Sequence, residues 1–283
     1  MAVACVAVWL GAAVQVAAAQ ASGAAEIAPA GWTLVWHDEF NGANGSGPDP
    51  AKWRFVTGGD GFGNNELESY TARRKNIHVE DGKLVITARR ERYKGTDGQR
   101  RRYTSARIET RGLFETEYGR MEARIKVPAG QGLWPAFWAM GANFDQVGWP
   151  QCGEMDIMEN IGREPDQVHG TLHGPGYAGD QPLTGTYTLP RGERAADGFH
   201  VYAAEWEPGA VRFYVDGILF EKRTAAEVEG KPWAFDHSFF LLLNLAVGGN
   251  WPGPPEKKTV FPARMLVDWV RVYRKQSAEI SAR

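Results

Sequence analysis

The stretch GEMDIMEN, residues 153–160, places three carboxylates, Glu154, Asp156 and Glu159, within six positions bounded by methionine and isoleucine. In an extended strand side chains alternate, so Glu154 and Asp156 share one face while Met155 and Ile157 take the other. Strict alternation would next turn Glu159 into the apolar layer, where an unpaired carboxylate is very costly. One extra residue in the strand, a β-bulge, restores the phase and returns Glu159 to the other acids, and bulges are over-represented beside active sites. Met158 is read as that extra residue. A solvated acidic strand edge fits poorly, because Met155, Ile157, Met158 and Ile161 imply that one face is buried.

The rest of the chain reads as strands too. From about Thr33 onward, short β-branched and aromatic runs alternate with Gly, Pro, Asn and Asp clusters, and no stretch offers a long 3.6-residue apolar period. Asp81-Gly82 in NIHVEDGKLVITARRERY and Asp216-Gly217 in VRFYVDGILFEKRT each join two alternating runs, a strong hairpin signal. RMEARIKV, LWPAFWAM, FHVYAAEW, FFLLLNLAV and MLVDWVRVY supply further strands. With no internal repeat and no low-complexity linker, these runs predict an all-β, two-sheet sandwich of jelly-roll type. The Arg- and Lys-rich stretch from Arg89 to Arg102 is read as two solvated strand ends around KGTDGQ. The sequon Asn44-Gly45-Ser46 is placed in a loop.

With 43% apolar and 23% charged residues among 283, the chain can bury a sizeable core. A net charge of −2 leaves no basic field to attract nucleic acid or an anionic membrane, and neither is expected as a partner. The 11 tryptophans exceed what such a core needs, so some indole is expected at a binding surface. Residues 1–19 are uncharged and end in Ala17-Ala18-Ala19, an A-x-A pattern; they read as a secretory signal peptide, with 20–31 a short linker. Because no basic residue precedes the apolar segment, an uncleaved anchor is the second reading of it. The expected product is a secreted monomer, extracellular or periplasmic, off the membrane once the signal is removed. Cys5 leaves with the signal and Cys152 remains alone, so no internal disulfide is expected, and Cys152 is read as a small semi-buried residue.

Three carboxylates on one strand face repel one another, and repulsion raises at least one pKa toward the working pH. That suits glycoside hydrolysis, which needs one ionised carboxyl to act at the sugar carbon and one protonated carboxyl to donate to the leaving oxygen. Glu154 and Glu159 can fill those parts in either order, with Asp156 between them hydrogen-bonded to one. Calcium binding is the competing use of clustered acids, but loops supply such ligands at spacings like D-x-[DN]-x-[DN]-G, which this strand does not match. Trp134 and Trp138 in GLWPAFWAM are four apart, hence on one strand face. Core packing is the ordinary reading of that spacing; beside the carboxylates it suggests a floor for stacking pyranose rings, extended by Trp149. His169 and His173 stand roughly 13 Å apart in a strand at ~3.3 Å per residue, too far to chelate one metal. There is no G-x-S-x-G elbow, no P-loop and no G-x-G-x-x-G opening a helix.

Together GEMDIMEN, YTSARIET, GLWPAFWAM, GTLHG, LNLAVGGNWPG and MLVDWVRVY resemble the laminarinase-type endo-β-1,3-glucanases of glycoside hydrolase family 16, over residues 32–275. The resemblance implies a concanavalin A-like jelly roll whose concave sheet is a sugar-binding cleft, with 276–283 a tail. It implies hydrolysis of internal β-1,3 linkages in laminarin-like glucans with retention of configuration and no catalytic cofactor. Glu154 matches the nucleophile, Glu159 the acid/base and Asp156 the residue hydrogen-bonding between them. Trp134 and Trp138 match cleft tryptophans, Arg107 and His173 match polar residues near the cleaved linkage, and Asn64 and Asn65 match a loop on the non-reducing side. A structural calcium is implied on the convex face, held by Glu39, the carbonyl of Gly82 and Asp268. Met155 departs from the usual Ile, Val or Leu, a change that an adaptable core side chain absorbs. The bulged motif speaks against mixed-linkage lichenases but is shared with galactan-directed relatives. Transglycosylation through the same covalent intermediate is open to this motif as well. A non-catalytic glucan-binding module on the same fold is a weaker reading, because such a module would lose the carboxylates.

Overall fold

Two Asp-Gly turns show how local sequence sets the frame. Asp81 and Gly82 have φ of 50° and 69°, and Asp216 and Gly217 have 49° and 79°. Positive φ at both central positions matches the twist of the flanking strands, and glycine takes it without a Cβ clash. The turns pair Glu80 with Lys83 and Val215 with Ile218. Asn44 of the sequon braces the first turn, donating to Asp81 Oδ1 at 3.0 Å and accepting from its N–H at 2.7 Å.

The computed structural model describes residues 28–276; the signal-peptide reading falls outside them. In chain order the strands are β1 (Trp32–Asp38), β2 (Arg54–Val56), β3 (Glu68–Tyr70), β4 (Ile77–Glu80), β5 (Lys83–Lys94), β6 (Arg100–Ser105), β7 (Arg107–Glu109), β8 (Gly119–Lys126) and β9 (Leu133–Gly141). After a four-residue helix α1 (Phe144–Val147) come β10 (Glu154–Glu159), β11 (Gln167–His173), β12 (Leu183–Thr188), β13 (His200–Glu207), β14 (Ala210–Val215), β15 (Ile218–Thr224), β16 (Phe239–Val247) and β17 (Ala263–Lys275). They form two sheets. One has 10 strands, running β15-β14-β13-β8-β17-β5-β6-β3 with β1 and β4 paired at its side; the other has seven, in the order β12-β11-β10-β9-β16-β7-β2. Pairing is antiparallel except between β3 and β6. The sandwich is a jelly roll, and the strands named from sequence are all present.

β16 shows why the seven-stranded sheet has two different faces. Phe239, Leu241, Leu243, Leu245 and Val247 enter the main core between the sheets, whereas Phe240 and Leu242 join a second cluster with Ala136, Trp138, Met140 and Cys152. Each buried Leu or Phe contributes about 1.5–3 kcal/mol, which ties the sheets together. The second cluster lies on the outer face, where period-2 alternation also puts Asn244, the only polar residue of β16. Cys152, read as semi-buried, is fully enclosed in that cluster, and burial pushes its thiol up to about 11, which keeps it unreactive.

Candidate active site

β10 is built as an alternating strand with one phase slip. Glu154, Met155 and Asp156 pair with Met140, Ala139 and Trp138 of β9; then Met158 pairs with Phe137 and Glu159 with Ala136. The bulge is therefore present, and Ile157 is the residue left without a partner on β9, not Met158 as read from sequence. On the other side, Ile157 and Met158 together face Gly170 of β11, because the ladder passes from Asp156–Thr171 to Glu159–His169. Two consecutive side chains on one face are what a bulge permits. Met155, Ile157 and Met158 are all completely buried in the main core. Gly170 itself leaves room for the opposite sheet: a Cβ there would lie 2.8 Å from the Phe213 ring.

With the phase restored, the three acids share the outer face with His173 of β11. His173 Nε2 lies 3.3 Å from Asp156 Oδ2 and 3.8 Å from Glu154 Oε1. The contact of Asp156 is thus to the imidazole, where a hydrogen bond to a glutamate was expected; the register puts His173 directly across from Glu154, between the two acids. Trp134 Nε1 donates to Glu159 Oε1 at 2.9 Å, and Trp149, half-exposed on the rim, donates to Glu154.

The electrostatics follow from burial. Burial, then the charge of Asp156, pushes Glu154 up to about 8, opposed by His173, Arg107 and the Trp149 hydrogen bond. Burial pushes Asp156 up to about 8. Glu159 is held well above the ordinary carboxylate range by burial and then by Asp156, with His173 and the Trp134 N–H pulling the other way. Burial and mutual repulsion therefore keep the three carboxyls from all being ionised together, so the cluster holds on to a proton that separate, exposed carboxyls would have lost.

The remaining residues spread along the same face. Trp138 donates to Asn244 Oδ1 at 2.7 Å, and the Arg107 guanidinium lies over it, 4.7 Å from the ring centroid and 5.2 Å from that of Phe62. Arg107 comes from β7, three strands from β10, and reaches the acids through its charge. Asn65 donates to Asn250 Oδ1 at 2.8 Å, and the Asn250 N–H donates to the Asn64 carbonyl at 2.8 Å, so two loops are latched at one rim. Trp251 stands edge-on to Trp134 at 5.6 Å and to His169 at 5.0 Å. Sequence reasoning did not single out Asn244, Asn250 or Trp251; the lone amide in FFLLLNLAV was the one signal for Asn244.

The two carboxylates of the implied calcium set are engaged elsewhere. Arg271 clasps both oxygens of Glu39 at 2.8 Å, and Arg124 meets Asp268 at 2.5 Å. Calcium takes six to eight oxygens, and here each carboxylate is already neutralised by a guanidinium, so this set does not fit the ion as arranged. Among the described residues, the ligand atoms that converge, within 4.8 Å of one another, are those of Glu154, Asp156 and His173, the site itself.

Comparison with known proteins agrees with this geometry. The model of the family described as glycosyl hydrolases family 16 matches residues 64–271. A β-glucanase of Rhodothermus marinus is 45% identical over 257 residues, covering 86% of this chain and 85% of that protein. The crystal structure of an endo-β-1,3-glucanase from Pyrococcus furiosus superposes with a TM-score of 0.82 at 47% identity, covering 86% of this chain and 94% of its own. The laminarinase catalytic domain from Thermotoga maritima gives 0.82 at 45% identity, covering 87% and 99%.

Proposed function

This chain belongs to family 16 of the glycosyl hydrolases, and from that premise we propose a retaining endo-β-1,3-glucanase that cuts internal linkages of laminarin-like glucans. The relatives named β-glucanase, endo-β-1,3-glucanase and laminarinase support the substrate class. The observation that carries the chemistry is the bulge that brings Glu159 onto the face of Glu154 and Asp156.

The surroundings of the two glutamates divide their roles. Glu154 is met by the positive charge of Arg107, by His173 and by the Trp149 N–H, all of which favour its charged form. Its carboxylate attacks the anomeric carbon and forms a covalent glycosyl-enzyme. Glu159, held well above the ordinary carboxylate range by burial and by the charge of Asp156, holds a proton and gives it to the departing glycosidic oxygen. The resulting carboxylate then takes a proton from water, whose oxygen displaces Glu154 from the sugar, so that two inversions give retention. Asp156 and His173 form a pair beside Glu154 that shares charge with it. Trp134, partly exposed in the cleft, supplies a flat face on which the apolar side of a sugar stacks, whereas Trp138 lies almost fully buried beneath the Arg107 guanidinium. A polymer of this kind meets the enzyme outside the cell, which suits a leader at residues 1–19; N-terminal sequencing of the exported protein tests that point.

The test is product analysis on laminarin, lichenan, agarose and carrageenan, with the anomer of the first product read by NMR. Laminarin-derived oligosaccharides released as the β-anomer are expected. Activity on a galactan with none on any β-glucan would overturn the substrate assignment.

A further inference from the structure

The hairpin between β5 and β6 carries charge out of proportion to the rest of the chain. RRERYKGTDGQRRR, residues 89–102, sets seven Arg and Lys against Glu91 and Asp97, in a protein whose net charge is −2. Neighbouring strands stop short of it: β17 pairs with β5 no further than Ala88, and β3 pairs with β6 no earlier than Tyr103. Among the described residues no strand flanks the hairpin beyond those points, and Arg92, Lys94, Arg100 and Arg102 are exposed.

Both carboxylates of the hairpin are already engaged. Glu91 meets Arg73 at 2.7 Å and Lys75 at 2.6 Å, cations from outside the hairpin, and Asp97 accepts the Gln99 N–H at 2.9 Å to close the turn. Arg90 lies over the Phe261 ring at 5.0 Å, and Arg101 donates to the Gly59 carbonyl at 2.6 Å. Among the described residues Arg92, Lys94, Arg100 and Arg102 make no hydrogen bond or ion pair. Lys94 stands directly opposite Arg100 in the ladder, and like charges so placed destabilise a strand pair. Four unanswered cations, two of them face to face, hold a positive potential that an outside anion relieves.

The place of the hairpin points to the kind of anion. Gly59, held by Arg101, belongs to the loop that runs on to Asn64 and Asn65, the rim latched to Asn250. β6 passes through Ala106 straight into β7, which carries Arg107 into the cleft. The cationic surface thus borders one end of the sugar cleft. Guanidinium groups bind carboxylates and tetrahedral oxyanions such as sulfate through paired, charge-assisted hydrogen bonds. We propose that the hairpin docks an acidic glycan, a sugar polymer bearing sulfate or carboxylate groups, through Arg92, Lys94, Arg100 and Arg102. The choice of a glycan rests on the proposed function; the cation cluster does not.

The test measures binding of the full chain to dextran sulfate and to polygalacturonate, with duplex DNA and anionic phospholipid vesicles beside them, at about 50 mM and about 500 mM NaCl. Wild type is expected to bind at least one of the two glycans, with Kd about tenfold or more weaker at high salt, because exposed charges are screened. The glycan it prefers tells sulfate from carboxylate. Arg92→Gln, Lys94→Gln, Arg100→Gln and Arg102→Gln together are expected to weaken that binding about tenfold or more, with Tm unchanged and laminarin turnover within about twofold. Arg100→Gln with Arg102→Gln carries the comparison should the fourfold variant not fold. Arg191, Lys222, Lys231 and Arg274 are exposed cations elsewhere; changing all four to Gln is expected to cost about twofold or less, since screening confines the effect of a charge to its neighbourhood. Equal losses in the two fourfold variants, no glycan binding by wild type, or binding to DNA or vesicles at least as tight as to the better glycan would overturn the proposal. Failure to cut any β-glucan refutes the substrate assignment and leaves the binding comparison standing.

Discussion

Trp134 Nε1 donates to Glu159 Oε1 at 2.9 Å, and the two meet only because β10 slips by one residue. Glu159 pairs with Ala136 of β9, so Trp134, two positions along, is its diagonal neighbour on the same face. Without the slip the carboxylate would point between the sheets. The bond joins the floor of the site to the group proposed as its acid.

Removing the donor while keeping an aromatic ring isolates that bond. The Trp134 N–H favours the charged form of Glu159. Trp134→Phe is therefore expected to raise the pKa of Glu159 further, moving the alkaline limb of the pH–kcat profile upward and lowering kcat. Unchanged limbs would show that the bond is not felt by the reacting proton.

Glu154→Gln and Glu159→Gln change charge but not shape. Each is expected to cost at least 10²–10⁴-fold in turnover, the usual scale for a lost acid or base, while calorimetry shows a folded protein that still binds laminarin oligosaccharides. Near-normal turnover in either variant would remove that glutamate from its role.

Burial of the acids makes stability depend on pH in a stated direction. Asp156 is pushed up to about 8 from an ordinary 3.8, so folding favours its protonated form. That contribution is fully present below the unfolded pKa and is lost as pH rises through about 8. Asp156→Asn cannot ionise and is expected to raise Tm relative to wild type above about pH 8, with the difference closing toward pH 4. A difference of the same size at both ends would place the effect in packing.

The bulge itself can be tested by shortening it. Deleting Ile157 leaves Glu-Met-Asp-Met-Glu, whose strict alternation keeps all three acids on the outer face while removing one buried side chain from the core. A lower Tm with activity retained is expected; loss of all activity in a folded variant would show that the acids need the bulge itself. Gly170→Ala probes the same spot by overpacking and is expected to cost about 1–3 kcal/mol, because its Cβ would press on Phe213; Gly198→Ala, where a Cβ meets nothing within 4 Å, serves as the silent control.

The residues that sequence made legible are those whose role depends on near neighbours in the chain. The alternation of Glu154 and Asp156 with Met155 and Ile157, the out-of-phase Glu159, and the Asp-Gly turns at 81–82 and 216–217 all express periods of two or four residues. From these came the two-sheet fold and the shared face of the acids. Trp134 and Trp138 were likewise placed together by spacing alone.

Tertiary structure decided what depends on register and on residues far apart. It made Ile157 the residue without a partner on β9, because the pairing with both β9 and β11 settles where two side chains face one. It set His173 against Asp156, and gave Glu39 and Asp268 to Arg271 and Arg124. It also joined Trp138 to Asn244, 106 positions away, and Asn244 to Tyr70, 174 positions away. A strand's sequence states which side chains share its face. Which partners they meet is fixed only when the strands are laid side by side and the core between the sheets has closed.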